Sequence, residues 1–279
     1  MTTDTSTRQK KARLAILAQF DAQGGLPPHV RIHLEELADV AQRRVLVSNS
    51  PLTDKARETA LEVCENIIVR DNVGWDFAAW KEALAQEDME AWDQVILTNS
   101  SVVGPIFDIE PIIEVMEAGP HDFWGMVLSK QHIEHLQSYF ISFGADVIRS
   151  DAWTAWWSRI ENLSDKNEVI KRYEITMTRW FQDAGFRAGA FVPELTFPRS
   201  LRIFRRVRKS GILKGYPAWH LRDARYSNRS VEFHQELLKV GMPYIKASLL
   251  WGIDRDLLPS PESLRDIPGS HYPWDELGI

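Results

Sequence analysis

Hydrophobic residues in the first hundred positions fall into short apolar runs that alternate with amphipathic stretches. The apolar runs lie at residues 13–20, 44–48, 66–70 and 93–98, each the length of a buried β-strand. Between them, apolar residues recur at helical spacing, with Thr53 at an N-cap position; the stretches are residues 28–41, 54–64 and 75–86. Alternating strands and helices build a parallel sheet, so the pattern predicts an α/β fold.

The chain beyond residue 105 is patterned less regularly. Residues 122–128 and 138–141 predict two more strands, the second an antiparallel edge strand. Helices are predicted at residues 151–163, 166–185 and 230–240. Because no linker or repeat interrupts the chain, we expect one domain. Its expected parts are a flexible start (1–11), a first half (12–105), a more helical second half (106–255) and a C-terminal tail (256–279).

Small polar residues follow each of the first four predicted strands. They are Asp21, Ser48 and Asn49, Asp71 and Asn72, and the triplet from Asn99 to Ser101. Ligands of parallel sheets bind beyond the carboxyl ends of the strands. Loops after strands are polar in any protein, but the pattern favours a binding site at this edge.

Composition narrows the class of protein. The net charge of −6 argues against a general nucleic-acid binder, which needs basic residues to neutralise phosphates. The one cysteine, Cys64, excludes a disulfide framework within the chain and is interpreted as a core residue. The N-terminal pattern resembles neither a signal peptide nor a membrane span, so we expect a cytoplasmic protein.

Several common catalytic motifs are absent from the sequence. It has no GxGxxG after the first predicted strand, no GxxxxGK[ST] and no GxSxG. His132 and His135 lie three residues apart without a third ligand nearby, so they are interpreted as surface or site residues rather than zinc ligands. The usual dehydrogenases, kinases and hydrolases are therefore disfavoured.

The turn from Asn72 to Asp76 has the chemistry of a nucleotide site. Gly74 permits a tight turn and close approach of a ligand, while Asn72 and Asp76 can hydrogen-bond a base or ribose. The N-terminus of the following helix favours an anionic group such as a diphosphate. The same residues also suit an ordinary strand-to-helix turn, and their chemistry alone does not decide between the two.

Glu174 is a candidate general base, because a carboxylate near a helix start in a cleft can accept a proton. A solvated helix face is the alternative. Trp153, Trp156 and Trp157 share one side of a predicted helix and would either pack in the core or line an acceptor groove.

The ordered motifs resemble the rhamnan synthesis F family over roughly residues 12–255. They are NxGxDF at residue 72, the Asn99–Ser101 triplet with Gly104-Pro105, DFWG at residue 122, HLQSYF at residue 135, Tyr173-Glu174, and GMPYIK at residue 241. That family is associated with rhamnose-containing and other bacterial surface polysaccharides, and its first half is similar to GT-A glycosyltransferases. The resemblance implies a GT-A-like fold with a nucleotide-binding half (12–105) and an acceptor and catalytic half (106–255).

The resemblance also implies roles for single residues. A nucleoside-diphosphate sugar would lie against a set that includes the polar strand ends: Asp21, Asn49, Asn72, Gly74, Asp76, Asn99, Ser101 and Lys246. Lys246 would neutralise diphosphate charge, Gln137 and Ser138 would lie near the transferred sugar or acceptor, and Glu174 would be the base. Ser100 stands where the family has an acid of a metal-binding motif. The need for Mg²⁺ or Mn²⁺ is thus left open, and the metal ligands are unknown.

The implied function is transfer of a sugar, with rhamnose suggested only by the family name, to a polysaccharide or lipid-linked acceptor, with inversion at the anomeric carbon. Ser100 also keeps open a non-catalytic module that binds nucleotide-sugars or glycans in an assembly complex. Residues 199–214 are basic with interleaved apolar residues, so they would either contact the inner membrane as a peripheral surface or form an ordinary surface helix.

Overall fold

Four parallel strands form the first part of a central sheet in the computed structural model, which describes residues 11–193, 228–258 and 260–279. They are β1 (Arg13–Gln19), β2 (Arg43–Ser48), β3 (Asn66–Val69) and β4 (Gln94–Asn99). Their order is β3-β2-β1-β4, so β1 has a parallel neighbour on each side. β1 is buried over its full length, as its continuous apolar run predicts.

Three helices cover the two faces of this parallel part. They are α1 (Pro28–Leu37), α2 (Asp54–Val63) and α3 (Trp75–Leu84). Leu17 and Leu46 pack with residues of α1 and α2, whereas Leu14 and Ile16 pack with residues of α3. Successive strand residues point to opposite faces, so α3 lies on the face opposite α1 and α2. Thr53 caps α2 as predicted, its Oγ1 accepting a hydrogen bond from Ala56 N at 3.2 Å.

The second part of the chain adds strands to the same sheet. The remaining strands are β5 (Val102–Val103), β6 (Phe123–Ser129), β7 (His135–Leu136), β8 (Phe140–Gly144), β9 (Ala188–Val192) and β10 (Ile245–Lys246). The sheet continues β4-β8-β6-β7, with β9 also paired to β6, and β5 and β10 form a separate antiparallel pair. The predicted α/β class, a mostly parallel sheet flanked by helices, is confirmed.

The strand predicted at residues 138–141 is antiparallel but does not lie at an edge. It is β8, which pairs antiparallel with β4 on one side and β6 on the other. The edge prediction was wrong because β6 pairs with the side of β8 that β4 leaves open. β9, a short strand that contains Gly189 and was not predicted, extends the sheet beyond β6.

Further helices follow in the second part of the described chain. They are α4 (Glu110–Ala118), α5 (Ala145–Ile148), α6 (Asp151–Ser158), α7 (Lys166–Val169), α8 (Ile175–Asp183), α9 (Arg229–Glu232) and α10 (His234–Lys239). A π-helical segment, Ile170–Glu174, joins α7 to α8. Gly185, with φ of 96°, follows the end of α8 as predicted, whereas the predicted 230–240 helix is divided at Phe233.

Aromatic side chains fill the core between the sheet and helices α3, α6 and α8. Trp153, Trp156 and Trp157 are at most 6% exposed and pack there with Phe143 and Phe181. The core interpretation of these tryptophans is confirmed, and the acceptor-groove alternative is wrong because their rings are covered.

Cys64 is buried at the end of α2, where its Sγ donates to Ala60 O at 3.0 Å. Burial raises the pKa of its thiol to about 11, which leaves it protonated and unreactive at neutral pH. The interpretation of Cys64 as a core residue is confirmed.

The C-terminal residues pack on the rest of the fold. Leu264, Tyr272 and Trp274 are buried in one cluster with Ile32 of α1 and Val103 of β5. Among the residues that the structure describes, no helix is both long and apolar enough to cross a bilayer. Residues 1–10 of the predicted flexible start (1–11) and the basic 199–214 stretch lie outside the described residues, and the division into halves at residue 105 stays a prediction.

Candidate functional site

The carboxyl ends of several strands meet at one edge of the sheet. β1 to β4 run parallel, and β6 runs in the same direction because both β4 and β6 are antiparallel to β8. β8 therefore begins at this edge, and Thr98 Oγ1 at the end of β4 donates to Tyr139 O at 2.7 Å. The predicted site residues of both halves of the chain are thus brought toward the same edge.

A direct hydrogen bond joins the two turns that the sequence singled out. Asn99 Nδ2 donates to Asp76 Oδ2 at 2.8 Å, which links the end of β4 to the first turn of α3. Asn99 Oδ1 in turn accepts from Ser101 N at 3.0 Å and from Ser101 Oγ at 2.6 Å. Asp76, Asn99 and Ser101 therefore form one connected polar group.

Lys246 brings a positive charge to this group from the far end of the chain. It belongs to β10, where it pairs with Val102 of β5, and its Nζ donates to Ser101 Oγ at 3.2 Å. The ammonium also lies 4.4 Å from the centroid of the Tyr139 ring. Burial lowers the pKa of Lys246, whereas the charges of Glu174 and Asp76 oppose that change.

Asp76 lies in an environment that penalises its charge. Burial and, second to it, the nearby Glu174 raise the pKa of Asp76 to about 6, although Lys166, Lys246 and the bond from Asn99 act in the opposite direction. Near pH 6, the protonation of this carboxylate is therefore sensitive to any added charge.

Glu174 lies at the last position of the π-helical segment, next to α8. Its Oε1 accepts a hydrogen bond from Ser138 N at 3.2 Å, in the turn that precedes β8. This contact fixes the carboxylate at the same edge as Asp76 and Lys246, whose pKa values it influences. π-helical turns inside helices are often found at functional positions.

Gln137 and Ser138 are buried rather than displayed, at 5% and 7% exposure. Gln137 Nε2 donates to Asn228 Oδ1 at 3.0 Å, and its Oε1 accepts from Ser230 Oγ. Both ends of the Gln137 amide are thus engaged by the segment around α9. This geometry suits a residue that holds the start of β8 in place.

Asp21 and Asn49 both make hydrogen bonds within the fold. Asp21 Oδ2 accepts from Gly25 N and closes the turn after β1. Asn49 is 3% exposed, and its Oδ1 accepts from Arg70 Nη1 at 2.8 Å. Both residues lie at the predicted edge, where these bonds shape the loops that end β1 and β2.

Arg70 was not predicted as a site residue, yet it organises the turn after β3. Its side chain is 7% exposed and bonds Glu82 of α3, Val73 O and Asn162 as well as Asn49. A lone arginine after a strand gives no sequence signal for such a role, because charged residues end strands in most proteins.

Gly74 caps α3 in the left-handed conformation, with φ of 71°. A Cβ at this position would lie 2.5 Å from Ala78 Cβ and 3.1 Å from Glu161 O. Gly74 N donates to Leu163 O at 2.8 Å, so the close approach that glycine permits is to the chain at residues 161–163. Asn72, two residues earlier, is exposed.

The donor atoms around Ser100 and Ser101 do not fit a divalent metal. Mg²⁺ and Mn²⁺ sites favour carboxylate oxygens, whereas this turn offers serine hydroxyls and an amide oxygen already bonded to Ser101. The adjoining carboxylate of Asp76 already accepts a hydrogen bond from Asn99. The Lys246 ammonium, 3.2 Å from Ser101 Oγ, would also repel a cation. Within the described ranges, no cluster of three or more His, Cys, Asp or Glu has metal-binding geometry.

His29 is a second residue that the sequence did not single out. It lies in the first turn of α1, and its Nε2 is 3.1 Å from Ser100 O. Burial lowers its pKa, so its ring is neutral at neutral pH. The two other histidines of interest lie elsewhere: His135 is buried, with Nδ1 2.8 Å from Ile133 O, and His132 is exposed.

Two relatives match about two thirds of the chain. An uncharacterized protein, y4gN, of Sinorhizobium fredii is 31% identical over 193 residues, which cover 66% of this chain and 49% of that protein. Virulence protein VirA of Vibrio anguillarum is 25% identical over 202 residues, covering 68% of this chain and 63% of that protein. The chain therefore matches about half to just under two thirds of the length of these relatives.

Distant similarities to solved structures were also found. A cytidylyltransferase of Leptospira borgpetersenii has a TM-score of 0.41 at 12% identity, with 83% of this chain and 97% of that chain covered. A glucosyl-3-phosphoglycerate synthase of Mycobacterium tuberculosis has a TM-score of 0.34 at 9% identity, with coverage of 50% and 58%. Similarities at this level carry no argument about activity.

The family comparison is more specific. The family described as rhamnan synthesis protein F matches residues 44–196. That match contains β3 and β4, all of β2 but its first residue, the Asp76–Asn99 contact and Glu174. The chain belongs to the rhamnan synthesis protein F family.

Proposed function

We propose that this chain is a glycosyltransferase that moves a sugar from a nucleoside diphosphate to the hydroxyl of a saccharide or lipid-linked saccharide. The observation that carries the proposal is the hydrogen bond between Asp76 and Asn99, with Lys246 held beside them through Ser101. The hydrogen bond joins the two turns expected to hold the donor, and the Lys246 ammonium lies next to them. Membership in a family named for rhamnan synthesis supports saccharide chemistry.

The donor nucleotide is proposed to lie along the ends of β1 to β3. Asp21 and Asn49 shape those loops, while Asn72 is exposed for hydrogen bonds to the base or ribose. The diphosphate would then reach the N-terminus of α3 and Lys246. Both of these favour negative charge.

Glu174 is the proposed base. It takes the proton of the acceptor hydroxyl as that oxygen bonds to the anomeric carbon of the donor sugar. The bond between the anomeric carbon and the phosphate oxygen breaks, and its electron pair leaves with the diphosphate. Lys246 stabilises the negative charge that develops there. Attack opposite to the leaving group would invert the anomeric centre.

A metal-free version of this reaction is proposed, since the donor set near Ser100 does not suit Mg²⁺ or Mn²⁺. Lys246 supplies the positive charge that the leaving diphosphate requires. A lysine ammonium is a point charge that binds phosphate well, as in other phosphate sites.

A turnover assay tests the proposal. The protein is incubated with UDP-, GDP- and dTDP-sugars, with EDTA or with Mn²⁺, and the released nucleoside diphosphate is measured. We expect slow release without an acceptor and faster release when a saccharide acceptor is added, including in EDTA.

The second candidate function is a non-catalytic module that binds nucleotide-sugars or glycans within an assembly complex. Ser100, at the position where the family resemblance implies an acid, is the feature that favours it. Saturable binding of a nucleotide-sugar without release of diphosphate under any of these conditions would support this candidate and contradict the transferase.

A further inference from the structure

The distribution of tryptophan side chains points to a second feature of this edge. Ten of the eleven tryptophans lie in the described residues. Among these ten, only Trp251 is exposed, at 49% of its surface. An indole with a free face in water can pack against the apolar face of a ligand. Its position in the fold, rather than its exposure alone, indicates which ligand that is.

Trp251 is anchored next to Ser100 and Ser101. Its ring centroid lies 5.2 Å from that of His29, with 38° between the two planes, and His29 Nε2 is 3.1 Å from Ser100 O. From the other side, Trp251 N donates to Ala247 O at 3.0 Å, and Ala247 N donates to Ser101 O at 2.9 Å. The indole is thus supported by a buried neutral imidazole and tied to the same turn that Lys246 contacts.

The position of this pair separates it from the proposed nucleotide contacts. His29 belongs to α1, which covers the face of the sheet opposite α3, whereas Asp76 lies in the first turn of α3. The Asn99–Ser101 turn lies between them: Ser100 O is bonded to His29, and Asn99 donates to Asp76. A nucleoside held near Asn72 and Asp76 would leave Trp251 on the far side of the diphosphate position.

We propose that Trp251, supported by His29, is a stacking surface for a pyranose ring of the substrate. An indole face packs against the C–H groups on one face of a pyranose, while the hydroxyl groups of the sugar stay free for polar partners. The inference rests on the proposed function and adds a saccharide subsite to it. The ring is either the sugar of the donor or a sugar of the acceptor.

Binding measurements on three proteins test this inference: wild type, Trp251→Ala and Trp251→Phe. The probes are UDP, GDP and dTDP, each free and as its hexose ester, and a rhamnose trisaccharide. We expect Trp251→Ala to bind a hexose ester or the trisaccharide about tenfold more weakly, the loss typical of a truncated aromatic contact, with free nucleotide binding unchanged. Trp251→Phe, which keeps a stacking face, should retain most of the affinity. If Trp251→Ala binds the hexose ester more weakly, the stacked ring is the sugar of the donor. If it binds the trisaccharide more weakly, the stacked ring belongs to the acceptor.

The control is Val115→Ala, at an apolar residue of α4 that is 68% exposed, which should leave every affinity unchanged. Equal weakening of a free nucleotide and its ester in Trp251→Ala would assign the indole to the base and overturn the inference. Unchanged affinities of Trp251→Ala for every probe would also overturn the inference. So would a wild type that binds the hexose esters no more tightly than the free nucleotides and does not bind the trisaccharide. If the wild type binds none of the nucleotides, the proposed function fails, and the trisaccharide alone decides the role of Trp251.

Discussion

Asp76 shows at the level of one residue how the fold tunes charge at this edge. Its carboxylate is partly buried, close to Glu174 and bonded to Asn99, and its pKa is raised to about 6. A carboxylic acid whose folded pKa lies above its ordinary value binds a proton more tightly in the folded state than in the unfolded chain. The ionised form of Asp76 therefore costs stability, as is common for residues kept for function rather than for folding.

The first prediction concerns Asp76→Asn. Wild-type stability should fall as pH rises between the ordinary pKa of 3.8 and the raised value of about 6, and the loss should persist above that range. The substitution removes this cost and can still accept the bond from Asn99. We expect it to raise the free energy of unfolding at pH 7 by on the order of 1 kcal/mol, a value discounted for partial exposure, with little gain at pH 4.

Urea unfolding of wild type and Asp76→Asn at both pH values measures this effect. Asp266→Asn, at an exposed aspartate near the C-terminus, is the matched control and should show no such dependence on pH. A loss of stability at pH 7 in Asp76→Asn, or an equal gain at both pH values, would contradict the assignment of a raised pKa.

The second prediction concerns Glu174→Gln. The amide keeps an oxygen that can accept from Ser138 N, so the fold and donor binding should be retained. Loss of the base should lower the rate of transfer by about 10²- to 10⁴-fold, the usual contribution of general base catalysis. Single-turnover rates together with donor affinity measure the two effects separately, and full activity in this variant would remove Glu174 from the mechanism.

At the scale of elements, the turn between β3 and α3 is held by Arg70. This arginine reaches the loop after β2 through Asn49, the turn itself through Val73 O, and the segment after α6 through Asn162. Gly74 is fitted against the same segment after α6. The turn proposed to hold the nucleotide is therefore preorganised by neighbouring elements rather than by its own residues.

The third prediction follows from these contacts. Arg70→Ala should lower the free energy of unfolding by about 1–3 kcal/mol, because two partly buried acceptors, Asn49 Oδ1 and Val73 O, lose this donor. It should also weaken nucleotide binding, since the turn loses its support. Arg44→Ala, which removes an ion pair with Glu65 at the start of β2, is the control: nucleotide binding should be unchanged. Equal effects of the two variants on nucleotide affinity would show that Arg70 does not position the turn.

The elements that the sequence predicts well are those with strong local patterns. β1, β2 and β4 are continuous apolar runs, and α2 has both helical spacing and a cap at Thr53. The β5–β10 pair was missed because strands of two residues have no detectable period, and β9, AGAFV, has only two large apolar residues. The interior position of β8 depends on its pairing with both β4 and β6, which no local pattern reports.

Some residues of the candidate site could also be predicted from the sequence, and others could not. The polar strand ends at Asn72, Asp76 and Asn99 could be predicted, because ligands bind at the carboxyl edge of parallel strands. Lys246 could be assigned only through the family resemblance, since its contact with Ser101 spans 145 residues of chain. Arg70, His29 and Trp251 gave no sequence signal, because their roles arise from tertiary contacts.

At the scale of the whole molecule, the fold brings a late segment back to the middle of the sheet edge. β10 pairs with β5 just after the Asn99–Ser101 turn, and this pairing sets Lys246 between Ser101 and Tyr139. Met242, Tyr244 and Ile245, beside it in sequence, are buried. A positive charge is thus fixed at this edge by the packing of the C-terminal part.

The central claim is that the Asn72–Asp76 and Asn99–Ser101 turns, with Lys246, bind one sugar diphosphate without a divalent metal. Calorimetric titration of UDP-, GDP- and dTDP-sugars in EDTA tests it, on wild type, Lys246→Ala and the exposed control Lys239→Ala. The account predicts that at least one sugar nucleotide binds the wild type and the control equally, and binds Lys246→Ala about tenfold or more weakly. No binding in EDTA, or unchanged affinity in Lys246→Ala, would contradict it.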